Sequence, residues 1–161
     1  MGQKSIYKHS ILATVILFTV VDICQPCIVL LDGWKQKTVS ERARLAKVVF
    51  LGKTIRRYPT QTMFDDTKAY AADFKIIRLL KGREIMKEVL ETHASPYVKV
   101  YGFGEKKRCL VDVHPGETYL VFMVYHNSSR SLIARYDDVF GATAPATNEN
   151  EKEILAELGE L

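Results

Sequence analysis

The sequence predicts a mostly β protein, a small closed barrel of five to six strands with one short helix before it and one after it. Apolar runs of strand length recur between residues 46 and 136, and turn residues separate them. A capping-box pattern, Thr38-Val-Ser-Glu41, opens a helix before the first run. After the last run the apolar residues recur at helical spacing. These observations favour a barrel with flanking helices.

The central elements follow in order, without a visible repeat. The short helix extends to about Leu45, and the first strand, residues 46–55, contains Gly52 at a bulge or bend. Residues 84–91 fit a short helix or a strand, and residues 56–67 and 142–147 read as a loop and a linker. Three further strands are predicted at residues 70–80, 97–103 and 119–125. Val111 and Val113 could begin a short additional strand, and residues 132–136 predict a weaker edge strand. This count suits the five-stranded OB-type barrel. A β-sandwich is the alternative, although it would want about seven strands.

The C-terminal sequence predicts a helix with Asn148 as its N-cap. Glu151, three residues later, is at the position from which a capping-box side chain bonds back to the cap. The apolar positions of this helix include Ile154, Leu155 and Leu158. Such a stripe either docks on its own barrel, which we favour, or faces a partner protein. These three residues are therefore candidates for partner contacts.

Composition describes an ordinary globular chain. Of 161 residues, 47% are hydrophobic and 26% are charged, which excludes a disordered segment and allows one domain with a real core. The net charge of +4 is too small to indicate nucleic acid as a partner. Any affinity for polyanions must therefore come from local clusters.

Residues 1–33 predict a signal peptide or signal anchor. A basic head precedes an apolar run at residues 11–21, and Asp22 interrupts that run before it reaches the length of a membrane span. We expect secretion, with residues 34–161 as the extracellular domain and membrane attachment only if the segment stays uncleaved. Asn127 begins an Asn-Ser-Ser sequon after a strand, which fits N-glycosylation on the secretory route.

Three cysteines, Cys24, Cys27 and Cys109, are the disulfide candidates. In an oxidising compartment the natural pair is one N-terminal cysteine with Cys109, which leaves one thiol over. Cleavage after Gly33 would remove both N-terminal cysteines and leave Cys109 without a partner. The position of the cleavage site therefore decides whether this disulfide can form. The Cys-x-x-Cys spacing lacks the βαβ pattern of a redox enzyme.

Two basic runs are candidates for polyanion binding. Lys106, Lys107 and Arg108 occupy a predicted surface loop, and Arg56 with Arg57 lies at another loop edge. If the barrel brings them together, they could bind a sulfated glycosaminoglycan such as heparan sulfate. The alternative, which we favour, is a solvated loop.

Aromatic residues near the basic runs raise a second possibility for an OB-type barrel. Such barrels bind single-stranded nucleic acid on aromatic platforms, and Tyr97, Tyr101 and Phe103 could imitate one. The secretory signal argues against this use. We therefore do not expect nucleic acid as a partner.

Catalysis has little support in the sequence. The aspartate pairs at residues 65–66 and 137–138 are adjacent in sequence, so their side chains point in different directions. His114 and His126 are not at metal-ligand spacing with the cysteines. No nucleophile elbow or phosphate loop is present. We predict a protein that is not an enzyme and uses no cofactor or metal.

Four motifs occur in a characteristic order along the chain. They are Ala-Lys-Val-Val-Phe-Leu-Gly at 46–52, Ile-Arg-Leu-Leu-Lys-Gly at 77–82, Val-Lys-Val-Tyr-Gly-Phe-Gly at 98–104 followed by Cys109, and Gly-Glu-Thr-Tyr-Leu-Val-Phe at 116–122. In this order they make the chain resemble the netrin-like family, the OB-type barrel shared by the tissue inhibitors of metalloproteinases. The pattern is most similar to the agrin N-terminal (NtA) domain and to the N-terminal region of neuregulin precursors.

The resemblance implies a secreted extracellular binding module that engages a matrix glycoprotein such as laminin through the C-terminal helix. It also leaves two alternatives, a metalloproteinase inhibitor and the N-terminal region of a signalling precursor. Inhibitors of this fold begin at a Cys-x-Cys sequence that chelates the protease zinc. Here Cys24 and Cys27 are separated by two residues, which departs from that pattern.

Overall fold

A computed structural model describes residues 37–60, 69–93, 95–104, 111–134 and 141–160. Nine helices and strands lie within these ranges. In chain order they are α1 (Val39–Leu45), β1 (Val48–Pro59), β2 (Tyr70–Lys81), α2 (Arg83–His93), β3 (Val98–Phe103), β4 (Thr118–His126), β5 (Ser131–Ile133), β6 (Thr143–Pro145) and α3 (Asn148–Leu158). None of the described helices is long and apolar enough to span a membrane.

Five strands close into a barrel in the order β1-β2-β3-β5-β4, and β4 returns to pair with β1. Every pairing is antiparallel except that of β3 with β5. The sixth strand, β6, adds to the edge of β4 at residues 119–121. The predicted mostly β barrel with flanking helices is confirmed, and the sandwich alternative is wrong.

The barrel interior is filled by large apolar side chains from alternate positions of the strands. Phe50, Phe74 and Phe103 are fully buried, and their ring centroids follow one another at 5.7 and 5.9 Å. Residues two apart on a strand share a face, which explains why Val48 and Phe50 point inward together. Helix α2 adds Met86 to this interior core.

A second core lies outside the barrel, beneath α1 and α3. It contains Val49 from β1, Leu120 and Phe122 from β4, and Ile154 from α3. The same strands therefore bury both of their faces over this part of their length, which explains their continuous apolar runs.

The structure differs from the sequence prediction at the end of β1, which continues to Pro59 where a loop was predicted from residue 56. Arg57 pairs with Ala72 and Pro59 with Tyr70 on β2. This stretch looked like a loop because its outward positions are polar and exposed. Backbone pairing with β2, which the side-chain pattern does not reveal, keeps it in the sheet.

Three further elements are now assigned. The ambiguous residues 84–91 are helical, and the predicted linker at 142–147 contains β6. The short strand start predicted at Val111 and Val113 does not form, although Val113 is buried. These segments are too short or too mixed for side-chain periodicity to decide their structure.

The predicted cap of α3 is wrong by one residue. Thr147, not Asn148, is the N-cap, because its side chain accepts a hydrogen bond from the Asn150 amide at 3.2 Å. Glu151 does not reach back to the cap but pairs with Arg78 on β2. The capping box of α1 is as predicted, with Thr38 and Glu41 bonded reciprocally.

Candidate functional site

The structure tests the position of only some of the predicted site residues. The disulfide candidates and one of the basic runs lie outside the described residues, as do the signal segment and its cleavage site. The individual residues concerned are Cys24, Cys27, Cys109, Lys106, Lys107 and Arg108. Asn127 is exposed in the turn between β4 and β5, a position that a glycan could occupy.

Arg56 and Arg57 are neighbours in sequence but belong to different clusters. Register between β1 and β2 shifts between Thr54 and Arg56, so that Ile55 is an extra residue. The bulge places Arg56 on the outer face of the sheet, opposite Asp73. Arg57 then follows on the inward-pointing face, opposite the buried Ala72.

The outer cluster is organised around the carboxylate of Asp73 on β2. Arg56 Nε donates to Asp73 Oδ2 at 2.9 Å, and the hydroxyl of Tyr58 donates to the same oxygen. The hydrogen bond to Asp73 raises the pKa of Arg56. Desolvation, followed by the hydrogen bond to Asp73, raises the pKa of Tyr58. Both shifts favour the protonated forms that the hydrogen bonds to Asp73 require.

The second cluster closes one end of the barrel. Arg57 Nη1 donates to Asp112 Oδ1 at 3.0 Å and to the Val113 carbonyl at 3.2 Å, and its guanidinium lies 4.8 Å from the ring centroid of Tyr70. Tyr70 stacks on Phe103 at 5.5 Å. Burial, and then the hydrogen bond to Asp112, raises the pKa of Tyr70 to about 12. Arg57 therefore has structural partners at the barrel end.

Sequence reasoning missed three lysines that the barrel brings onto the outer face beside Arg56. Lys53 on β1 lies directly opposite Lys75 on β2, and Lys99 on β3 lies opposite Asp73. None of the three lysines forms an ion pair with a described residue. Their sequence separations hide the cluster, although outward-facing lysines in three apolar strands are a signal that strand alternation could have exposed.

The C-terminal helix α3 lies beside α1. Glu153 Oε1 accepts a hydrogen bond from Ser40 Oγ at 2.9 Å, and Glu157 lies 3.9 Å from Arg44 Nε. Ile154 is fully buried in the core beneath the helices.

Leu155 and Leu158 are only partly buried against that core, and Leu45 on α1 is 42% exposed. We call the exposed surface of α1 and α3 the helix layer.

The agrin NtA domain profile matches residues 40–134, more than half of the chain, from α1 through β5. The chain belongs to the agrin NtA domain family. No curated protein sequence matches this chain at a significant level.

The match assigns the NtA domain to a family of non-enzymatic binding modules. In the described part of the domain, no group of three or more His, Cys, Asp or Glu side chains is placed to hold a metal ion. An open cleft lies between the start of β4 and β6, lined by Glu117, Tyr119, Thr143 and Pro145 among others. Its carboxylate, Glu117, is hydrogen-bonded to the Tyr119 hydroxyl.

Proposed function

We propose that this chain is a secreted, non-enzymatic module that binds a laminin-like glycoprotein of the extracellular matrix. The observation that carries the proposal is the agrin NtA match over residues 40–134. Agrin acts outside the cell, and its NtA domain is a laminin-binding module. The closed barrel with its flanking helices is a rigid support for such a surface.

The helix layer is the surface that we assign to the protein partner. Protein interfaces gain most of their affinity from exposed apolar side chains surrounded by polar groups. Leu45 is exposed, and Leu155 and Leu158 are partly so, whereas Ile154 is buried and therefore supports the helix without touching a partner.

Binding of the secreted chain to purified laminin, measured by surface plasmon resonance, tests this function. Leu45→Ser combined with Leu155→Ser should weaken binding by about tenfold or more, because the two changes remove apolar contact area. Ile77→Ser is the matched control, since Ile77 is 55% exposed but lies on β2. Absence of laminin binding by the wild-type chain would contradict the proposal.

The predicted secretory processing needs a separate experiment. Sequencing the N-terminus of the secreted protein and mapping its disulfides would locate the cleavage site and the partner of Cys109. A mature chain that does not begin at a cysteine would exclude metalloproteinase inhibition by the chelating mechanism. A chain retained in the cell membrane would contradict secretion.

A further inference from the structure

We propose that the outer face of β1, β2 and β3 is a binding site for a sulfated glycosaminoglycan. The site consists of Lys53, Arg56, Lys75 and Lys99, with Tyr58 between two of the cations, and we call it the basic face. It extends the proposed function, because it adds a second ligand class on a surface separate from the helix layer. It rests on that function only for the extracellular location that would give access to this ligand.

The register of the three strands places these cations in two adjacent rows. Lys53 and Lys75 are direct cross-strand partners. Two residues along β2, Asp73 lies between Arg56 on β1 and Lys99 on β3. Neighbouring strands are about 5 Å apart and successive outward residues about 7 Å apart, so the rows form one compact patch.

The pairing of Lys53 with Lys75 is unfavourable for the isolated protein. Like charges directly opposite each other on a sheet destabilise the strand pair. Both side chains are exposed, and among the described residues no carboxylate pairs with either of them. A bound anion between the two ammonium groups would remove the repulsion, so the pair is easier to explain as part of a binding site than as part of the fold.

The second row is held in position before any ligand arrives. Asp73 is buried and fixes both Arg56 and the Tyr58 hydroxyl. The Arg56 guanidinium lies 5.0 Å from the Tyr58 ring centroid, and Lys99 Nζ lies 4.6 Å from it. Because the acidic group is buried and the cations extend outward, this row also presents positive charge to solvent.

The geometry favours a sulfated polysaccharide over single-stranded nucleic acid. Nucleic-acid sites on OB-type barrels need free aromatic faces on which bases stack. Tyr58, the aromatic residue between the cations of the basic face, has Arg56 and Lys99 against its ring, and Phe103 is fully buried. Tyr97 and Tyr101, beside and on β3, are partly buried, and the competition with DNA described below tests whether they bind bases. A flat, open group of cations suits an extended chain with repeated anionic groups, which a sulfated glycosaminoglycan provides.

The test measures binding of a size-defined heparin oligosaccharide to the secreted chain by isothermal titration calorimetry. Lys53→Ala with Lys75→Ala should weaken binding about three- to thirtyfold, on the scale of two exposed ion pairs. Lys87→Ala with Lys152→Ala is the matched control, because it removes the same charge from exposed positions on α2 and α3. Equal losses in the two double variants would overturn the proposal.

Reversing one charge of the basic face distinguishes an effect on heparin binding from an effect on stability. Lys75→Glu creates an attractive pair with Lys53, so the thermal midpoint of the free protein should rise while its affinity for heparin falls. A variant that loses both stability and affinity would indicate a structural role and count against the site. This readout is independent of laminin binding, so either proposal can fail while the other stands.

Competition identifies the class of polyanion. Heparin from which the sulfates have been removed should bind much more weakly than heparin, and added salt should weaken the complex by screening. Single-stranded DNA should be a poor competitor for the bound heparin. DNA that displaces heparin at equal charge concentration would overturn the assignment to a sulfated glycan.

Discussion

The carboxylate of Asp73 accepts a hydrogen bond from Arg56 Nε at 2.9 Å, while the Asp73 side chain is only 5% exposed and that of Arg56 is 61% exposed. Asp73 occupies an outward-facing position of β2, so its burial is produced by neighbouring side chains and not by the barrel interior. One charge of the pair is therefore desolvated and the other remains in water. The two residues should contribute unequally to stability.

We expect Asp73→Ala to lower the free energy of unfolding by about 1–3 kcal/mol, because it leaves the Tyr58 hydroxyl without its acceptor. Arg56→Ala should cost less, since the exposed guanidinium loses little on returning to water. Urea denaturation of the two variants beside the wild type measures the difference. A larger loss for Arg56→Ala would contradict this account of the pair.

Tyr70 should make the stability of the domain depend on alkaline pH. Its pKa is raised to about 12 from the ordinary value of 10.0, so the folded state favours the neutral phenol. Its contribution is therefore complete below pH 10 and is lost as pH rises from about 10 to about 12. Tyr70→Phe should lack this part of the pH dependence, which urea denaturation across the alkaline range would detect.

A spectroscopic measurement gives the control. Ultraviolet absorbance follows tyrosine ionisation directly, and Tyr70→Phe should remove a component that titrates near pH 12. An identical alkaline titration in the variant and the wild type would show that Tyr70 is not protected.

Ile154 should be the residue that fixes α3 to the barrel. It is fully buried, so Ile154→Ala should cost about 2–5 kcal/mol, from lost apolar burial and the resulting cavity. Leu155→Ala should cost less, because Leu155 is already partly exposed. Equilibrium unfolding in urea would measure both changes, and equal losses would mean that the helix is not anchored through Ile154.

Two glycines separate backbone strain from steric crowding. Gly102 and Gly116 have φ angles of 89° and 90°, where other residues are strained. A Cβ at Gly102 would lie 3.0 Å from the Ala134 carbonyl oxygen, whereas one at Gly116 meets nothing within 4 Å. Both alanine variants should lose about 1–3 kcal/mol for the backbone, and Gly102→Ala should lose more.

Thermal unfolding of the two alanine variants is sufficient to test this difference. Equal decreases in midpoint would show that the contact between strands β3 and β5 relaxes without cost. A smaller decrease for Gly102→Ala than for Gly116→Ala would contradict the crowding argument directly.

The sequence predicted those features whose causes are local. The capping box of Thr38 and Glu41 forms as expected, and it depends on residues within a few positions of one another. The bulge expected at Gly52 is displaced to the partner strand, because the register shifts between Leu51 and Gly52 and the extra residue is Ile77 on β2. The helix cap at Thr147 and the strand β6 depended on contacts with the rest of the barrel, and local patterns misplaced them.

The sequence by itself determined the mostly β barrel, its flanking helices and its resemblance to the agrin NtA domain, because strand cores and turn residues repeat a recognisable order along the chain. Only the tertiary structure decided which charged side chains meet. The extra residue Ile55 separates Arg56 from Arg57, and strand pairing places Lys53, Lys75 and Lys99 on one face. Register is set by pairing between segments distant in sequence, so the residues near any one charge do not contain that information.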